Sequence, residues 1–245
     1  MKQSLFTILE NQPLTDTVFR MRLAGDTGDI SAPGQFVNIR LDGLFLRRPI
    51  SVCDYGDDCL TLIYKVVGTG TAKMRDMHPG ATLDLLTGLG NGYDLALSGD
   101  HPVVIGGGVG VPPLYGLAKR LIAQGKSVTA ILGFNTESEI FYADAFRALG
   151  CETIITTADG SFGAKGFVTD AMPGLAYSHF YACGPEPMLK AVYRASRTSG
   201  QLSFEERMGC GFGACMGCTC QTIAGPKRIC KDGPVMRKEE ILWNG

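Results

Sequence analysis

"GDHPVVIGGGVGVPPLYGLAKRLIAQGKSVTAILGFN", residues 99–135, decides the fold. An apolar run leads into a glycine turn, then a stretch opening on Pro112 and Pro113 and closing at Gly125, then a second apolar run. Proline suits the first helical turn, where no backbone N–H is missed, and glycine suits the helix exit. The stretch therefore predicts strand, turn, helix, strand. The rhythm continues downstream: "EIFYADAFRALG" (139–150) predicts a helix, "ETIITT" (152–157) and "SHFYACG" (178–184) strands, and "PMLKAVYRASRTSG" (187–200) a helix. Such alternation predicts a parallel α/β sheet.

Upstream the text is different. "TVFRMRLAG", "PGQFVNIRL" and "LTLIYKVVG" are short runs alternating apolar and polar, broken by Gly, Pro and Asp. Period-two alternation at this spacing predicts a small antiparallel barrel or sandwich. The whole chain, at 245 residues, is longer than one usual domain and can bury two cores. Its 23 Lys+Arg against 24 Asp+Glu leave no basic stripe for a phosphate backbone, so nucleic acid is not an expected partner. No apolar run reaches the roughly 18 residues of a membrane span, and the N-terminus has no signal-like core, so a soluble cytoplasmic protein is expected. Nine cysteines, odd in number and unevenly spread, suit a reducing compartment and a metal site better than a disulfide framework.

Five of those cysteines fall in "ERMGCGFGACMGCTCQTIAGPKRIC", residues 206–230. Cys210, Cys215 and Cys218 stand as C-x4-C-x2-C, with Cys230 following after eleven intervening residues. This is the spacing of a plant-type [2Fe–2S] site, and Cys220 is left over. Thiolates donate charge to ferric iron, and glycines let the backbone close around a cluster and aim N–H groups at sulfur. Gly209, Gly211, Gly213 and Gly217 meet that need. The alternative is a four-cysteine zinc site, which usually pairs two tight C-x2–4-C knuckles. From Met208 to Pro226 there is no charged residue. Exposed, this stretch would be a docking face; the alternative is packing against the chain's own barrel.

"GGGVGVPPL" (106–114) places Gly106, Gly107, Gly108 and Gly110 between a strand and a helix, where N–H groups face a pyrophosphate. In "GFNTESEI" (133–140), Glu137 and Glu139 supply negative charge with no Lys or Arg beside them, which favours NADH over NADPH. His78, His101 and His179 form no constellation and are expected to be structural or solvated.

"LRRPISV" (46–52) and "IYKVVGTGT" (63–71), followed by an α/β domain, resemble the flavin-binding half of the ferredoxin-NADP reductase superfamily. The resemblance implies FAD held by Arg48, Pro49, Ile50 and Ser51, by Ile63, Tyr64 and Lys65, and by Gly70 and Thr71 at the diphosphate turn. Arg48 would pair with the pyrophosphate and Ser51 would approach flavin N5. Ile50 replaces the superfamily's aromatic residue, so Tyr64 is a candidate for the lost stacking contact. "YACGPEPML" (181–189) resembles the superfamily's C-G-P-x-x-M, which implies Cys183, Gly184 and Pro185 beside the nicotinamide, with Cys183 as the catalytic candidate on the hydride path.

The expected organisation is multi-domain β plus α/β: an FAD-binding antiparallel β-barrel over 1–98, an NAD-binding parallel α/β domain over 99–202 and a short C-terminal [2Fe–2S] segment over 203–245. End to end, with "SFEERMGCGFGACMGCTC" at 203–220, the chain resembles the electron-transfer subunits of NAD-linked, two-subunit dihydroorotate dehydrogenases. A nicotinamide moves two electrons as hydride and a [2Fe–2S] centre takes one at a time, so a flavin belongs between them. The resemblance implies electrons passing from the FMN of a separate catalytic subunit through the cluster and FAD to NAD+ in pyrimidine synthesis, with two copies of each subunit. It implies no dihydroorotate site in this chain. Reductases with a full plant-type ferredoxin domain need far more than the 43 residues from Ser203 to Gly245. Small subunits of sulfide dehydrogenase or of NADH-dependent ferredoxin:NADP oxidoreductase remain alternatives, although some replace a cluster cysteine with aspartate. A stand-alone NADH reductase and a redox-sensing binding protein are further alternatives.

Overall fold

The computed structural model describes residues 1–243. Six strands, β1 (Lys2–Pro13), β2 (Val18–Ala24), β3 (Phe36–Arg40), β4 (Arg48–Gly56), β5 (Cys59–Lys65) and β6 (Thr82–Leu89), close an antiparallel barrel in the order β1-β2-β5-β4-β3-β6. Their alternation buries Phe6, Leu23, Val37, Leu62 and Leu85 inside it. Closure leaves no unpaired edge. A short helix, α1 (Thr69–Arg75), follows the glycine turn after β5, where the linear text showed only a turn.

The second sheet has seven strands: β7 (Val103–Gly107), β8 (Thr129–Phe134), β9 (Glu152–Thr157), β10 (Ala164–Lys165), β11 (Phe180–Cys183), β12 (Gly200–Ser203) and β15 (Val235–Arg237), ordered β10-β9-β8-β7-β11-β12-β15. All neighbours run parallel except β15, which pairs antiparallel with β12. Helices α2 (Val111–Ala123), α3 (Ala143–Leu149) and α4 (Glu186–Ala195) make the crossovers. α2 starts where the prolines predict, and Gly125 leaves it at φ +79°. α3 is shorter than the sequence implies because Tyr142 sits at φ +64°, a left-handed conformation that blocks helical continuation from Glu139. α4 also stops early, at Ala195, and Gly200 instead opens β12.

The C-terminal segment is not a detached appendage. It forms a hairpin of β13 (Thr219–Thr222) and β14 (Gly225–Arg228), one turn of helix α5 (Ile229–Asp232), and then β15 at the edge of the sheet. One apolar cluster joins Cys218, Ile229 and Cys230 of this segment to Ile105 and Leu202 of the sheet and Phe36 of the barrel. Full burial of a side chain such as Ile229 contributes about 2 kcal/mol. On the sheet's other face, Cys53 and Ile63 of the barrel pack with Leu114 and Leu117 of α2. Among the described residues no helix is long and apolar enough to cross a membrane.

Candidate functional site

β3 and β4 are neighbours, with Phe36 opposite Ser51, Asn38 opposite Pro49 and Ile39 opposite Arg48. Cross-strand partners share a face. Val37 and Ile39 fill the barrel, so Phe36, Asn38, Pro49 and Ser51 lie on its outside. Arg48, Pro49, Ile50 and Ser51 are all partly exposed. At the barrel rim Arg48 donates to the Leu46 carbonyl and lies against Gly70, where a Cβ would come within 2.2 Å of Nε. A side chain at 70 would have to displace the Arg48 side chain that lies over it. Thr71 ties the turn together, its Oγ1 accepting from Val67 N at 2.9 Å. The two predicted halves of a diphosphate cradle, Arg48 and Gly70–Thr71, therefore meet.

Tyr64 requires a correction. Its ring is buried in the barrel, 6.0 Å centroid to centroid from Phe19, and its hydroxyl donates to Asn11 Oδ1 at 2.9 Å. Burial pushes this hydroxyl up to about 12. The side chain faces inward because strand parity sends it there, so it does not replace an aromatic at position 50. Ile63 is likewise buried, whereas Lys65 is partly exposed.

Strands β7, β8 and β9 follow one another to one side, while β11 lies on the other side of β7. The order of an open parallel sheet reverses at β7/β11, and the crevice beyond the strand ends at such a point is where ligands bind. Both glycine motifs end there. Gly106 pairs with Cys183 across the two strands. A Cβ on Gly110 would stand 2.1 Å from the Cys183 carbonyl oxygen, and one on Gly107 2.4 Å from Met188 Sδ. Gly108 turns at φ +50°, and Gly184 and Pro185 lead into α4. The Tyr93 hydroxyl donates to the Ala182 carbonyl at 3.3 Å, next to Cys183, and burial pushes the Cys183 thiol up to about 12. It is a neutral thiol at physiological pH, suited to van der Waals contact rather than nucleophilic attack.

Between barrel and sheet a small cleft is lined by Thr17 and Lys65 on one wall and by Gly108, Phe134 and Glu139 on the other. Lys65 is a cation that the linear text did not place near Glu139. Glu139 accepts from Asn135 Nδ2 at 2.8 Å, and the Glu137 backbone N–H donates to Ser161 Oγ at 2.7 Å. The histidines lie elsewhere: His78 and His101 are exposed, and His179 is buried against Ser199 and Gln201.

Backbone N–H groups link the four spaced cysteines two by two, Cys215 to Cys210 and Cys230 to Cys218. Backbone N–H groups of Ala214 and Cys215 reach Cys210 Sγ at 3.2 and 3.4 Å, that of Gly217 reaches Cys215 Sγ at 3.5 Å, and that of Cys230 reaches Cys218 Sγ at 3.4 Å. Burial opposes ionisation of Cys210, but these N–H groups and the Cys215 thiol prevail and bring it down to about 6. Burial, followed by the neighbouring Cys218, holds the Cys230 thiol at about 12. Gly211 and Gly213 take positive φ, as does Met216, and a Cβ on Gly209 would touch Cys215 Sγ at 3.3 Å. Among the described residues no three such side chains are drawn together tightly enough for a single ion. A two-iron cluster, in which each iron takes two thiolates, fits a wrapped loop carrying two thiol pairs. Cys220 points away, with its Sγ 3.9 Å from Met236 Sδ.

The uncharged stretch is partly exposed and partly packed on the barrel. Phe212 and Met216 are exposed, while the Cys210 carbonyl accepts from Asn38 Nδ2 of the barrel at 3.1 Å. Sequence reasoning missed Asn38, and also Asn91, which donates to the Val235 carbonyl at 2.7 Å and accepts from Val235 N at 3.0 Å. One signal was present: a polar residue inside the otherwise apolar run "FVNI".

Two family models match the chain. One describes the iron–sulfur cluster binding domain of dihydroorotate dehydrogenase B, over residues 205–242, and the other an oxidoreductase NAD-binding domain, over 104–194. The electron transfer subunit of dihydroorotate dehydrogenase B (NAD(+)) from Geobacillus sp. strain WCH70 is 42% identical over 99% of both chains. The corresponding subunit from Fusobacterium nucleatum is 42% identical over 96% of both. The structure of an NADH-dependent reduced ferredoxin-NADP oxidoreductase superposes with a TM-score of 0.88 at 30% identity, covering 97% of this chain and 90% of that one. A Neisseria gonorrhoeae ferredoxin NADP+ reductase with bound FAD and NADP shares the fold at 18% identity, with a TM-score of 0.69 over 80% of this chain and 90% of that one.

Proposed function

The chain belongs to the family of electron transfer subunits of NAD(+)-linked dihydroorotate dehydrogenase B, and on that premise we propose the route its electrons take. A catalytic partner subunit carrying FMN oxidises dihydroorotate, and this subunit delivers the electrons through [2Fe–2S] and FAD to NAD+, in the cytoplasm and in the service of pyrimidine synthesis. Two copies of each subunit make the assembly.

The observation that carries this reading is the sharing of one barrel face. β4, with Pro49 and Ser51 on its outer face and Arg48 at the rim, lies beside β3, whose outer residues Phe36 and Asn38 are covered by the cysteine segment. Adjacent strands are about 4.8 Å apart, so residues for the two carriers sit side by side. When bound, the cluster supplies single-electron steps, the flavin both single and paired ones, and the nicotinamide a hydride acceptor.

The chain's own residues bind and orient. Cys210, Cys215, Cys218 and Cys230 hold the irons, and the N–H groups aimed at their sulfurs stabilise negative charge there. Arg48, over Gly70 and Thr71, neutralises the FAD diphosphate, and Lys65 with the Ile63–Tyr64 backbone edges the flavin. Gly106, Gly107, Gly108 and Gly110 receive the NAD pyrophosphate, because no side chain there blocks the backbone. Cys183, Gly184 and Pro185 flank the nicotinamide, and the half-buried thiol helps keep water from the hydride path. Glu137 and Glu139 select NADH by repelling a 2′-phosphate. Phe212 and Met216, exposed on an uncharged loop, face the catalytic partner.

The test is anaerobic purification followed by assay of iron, acid-labile sulfide and flavin. About two irons and one FAD per chain, with NADH bleaching the flavin faster than NADPH, are expected. A flavin-free or iron-free protein would end this reading. The likeness to the NADH-dependent reduced ferredoxin-NADP oxidoreductase favours a second reading with a different partner. That reading keeps the same cofactors but leaves dihydroorotate inert.

A further inference from the structure

Asn38 lies in the middle of β3, 1% exposed, in a strand whose first four residues, Phe36–Ile39, are all buried. Val37 and Ile39 need no explanation, since they fill the barrel. Asn38 is polar, and it faces outward beside Pro49 of the flavin strand. Its Nδ2 donates to the Cys210 carbonyl at 3.1 Å, while its own backbone carbonyl accepts from Arg47 Nη1 at 3.2 Å. The ladder between β3 and β6 slips between Phe36 and Asn38, a bulge that re-aims the side chain. Gly211 lies flat on the carboxamide, where a Cβ would stand 2.3 Å from Nδ2. Asn38 Oδ1 is buried and has no hydrogen-bond partner among the described residues, although one such orphan costs about as much as a lost hydrogen bond. A side chain placed only for stability at this position would be apolar.

We propose that Asn38 is a positioning residue for electron transfer: it pins the Cys210 carbonyl, and with it the first cluster ligand, to the strand beside the flavin. The proposal rests on the reading that the cysteines hold [2Fe–2S] and that β4 binds FAD. Asn38 touches no reacting atom. It acts through Cys210, fixing the cluster loop relative to β4.

Asn38→Ala removes the donor. Asn38→Asp keeps the volume and removes the donor as well, so it stands in where the alanine variant fails to fold. Both variants should retain wild-type iron and FAD and wild-type flavin bleaching by NADH. Both should show a shifted electron paramagnetic resonance spectrum of the reduced cluster, and release iron to a chelator roughly fivefold faster, the equivalent of one lost hydrogen bond. Electron passage from flavin to cluster, followed by stopped flow, should slow alongside. Wild-type spectra and chelation rates in both variants would overturn the proposal. A wild-type protein lacking cluster or flavin would instead overturn the reading on which it rests.

Discussion

Gly70 and Arg48 are twenty-two positions apart in the chain and in contact in the fold. A guanidinium held against a glycine turn is matched to a diphosphate, and charge-assisted bonds to it are worth roughly 1.5–3 kcal/mol. Arg48→Ala should therefore weaken FAD binding about tenfold to a hundredfold, read by flavin fluorescence titration; unchanged affinity would remove Arg48 from the site. The cysteines divide as sharply. Cys218 is buried beside Cys230, whereas Cys220 leans on Met236. Cys218→Ser should lose the visible absorbance of the cluster and Cys220→Ser should keep it, and a coloured Cys218→Ser protein would reassign the ligand. The C-x4-C-x2-C spacing made this site legible in the sequence because covalent spacing within a loop survives folding. Asn38 was not legible, because its meaning comes from Cys210, 172 residues away.

At the scale of elements, legibility followed local signals. α2 was readable from two prolines and an exit glycine, and the parallel strands from runs of Val and Ile. α1 was hidden behind its glycines, and β12 and β15, of four and three residues, exist only because they pair with the sheet and each other. α2 also fixes how the barrel meets the sheet. It packs on β4, where Gly116 allows the Cys53 carbonyl to approach a would-be Cβ position at 2.6 Å, and Lys119 meets Asp54 at 2.6 Å. Gly116→Ala should force the two apart and cost about 1–3 kcal/mol, lowering Tm by several degrees. The ion pair is half exposed and should matter far less. A Gly116→Ala protein as stable as its parent would show that this junction is soft.

For the whole molecule, the junctions carry both stability and function. His179 is buried where the sheet meets the linker between the two large units, bonded to Ser199 and facing Gln201, with Glu239, Asp94 and Arg237 around it. Burial lowers its proton affinity below the ordinary 6.5, so the native state holds a neutral ring. The unfolded chain gains a proton first as pH falls, so this contribution is complete above about pH 6.5 and is lost below it. Tm should drop between pH 7.5 and pH 5.5, and by less in His179→Gln; an identical drop in both would assign it to other groups. The residues proposed for the carriers, drawn from barrel, sheet and C-terminal segment, gather around the β3–β4 pair and at the β7/β11 crevice, which no single stretch of sequence encodes. The measurement that tests this account most directly is anaerobic turnover of the subunit purified with its native partner, supplied with dihydroorotate and NAD+. NADH should accumulate with the wild-type subunit and stop with Cys218→Ser. NADH formation undiminished by Cys218→Ser, or none from dihydroorotate with the fully loaded wild-type complex, would contradict it.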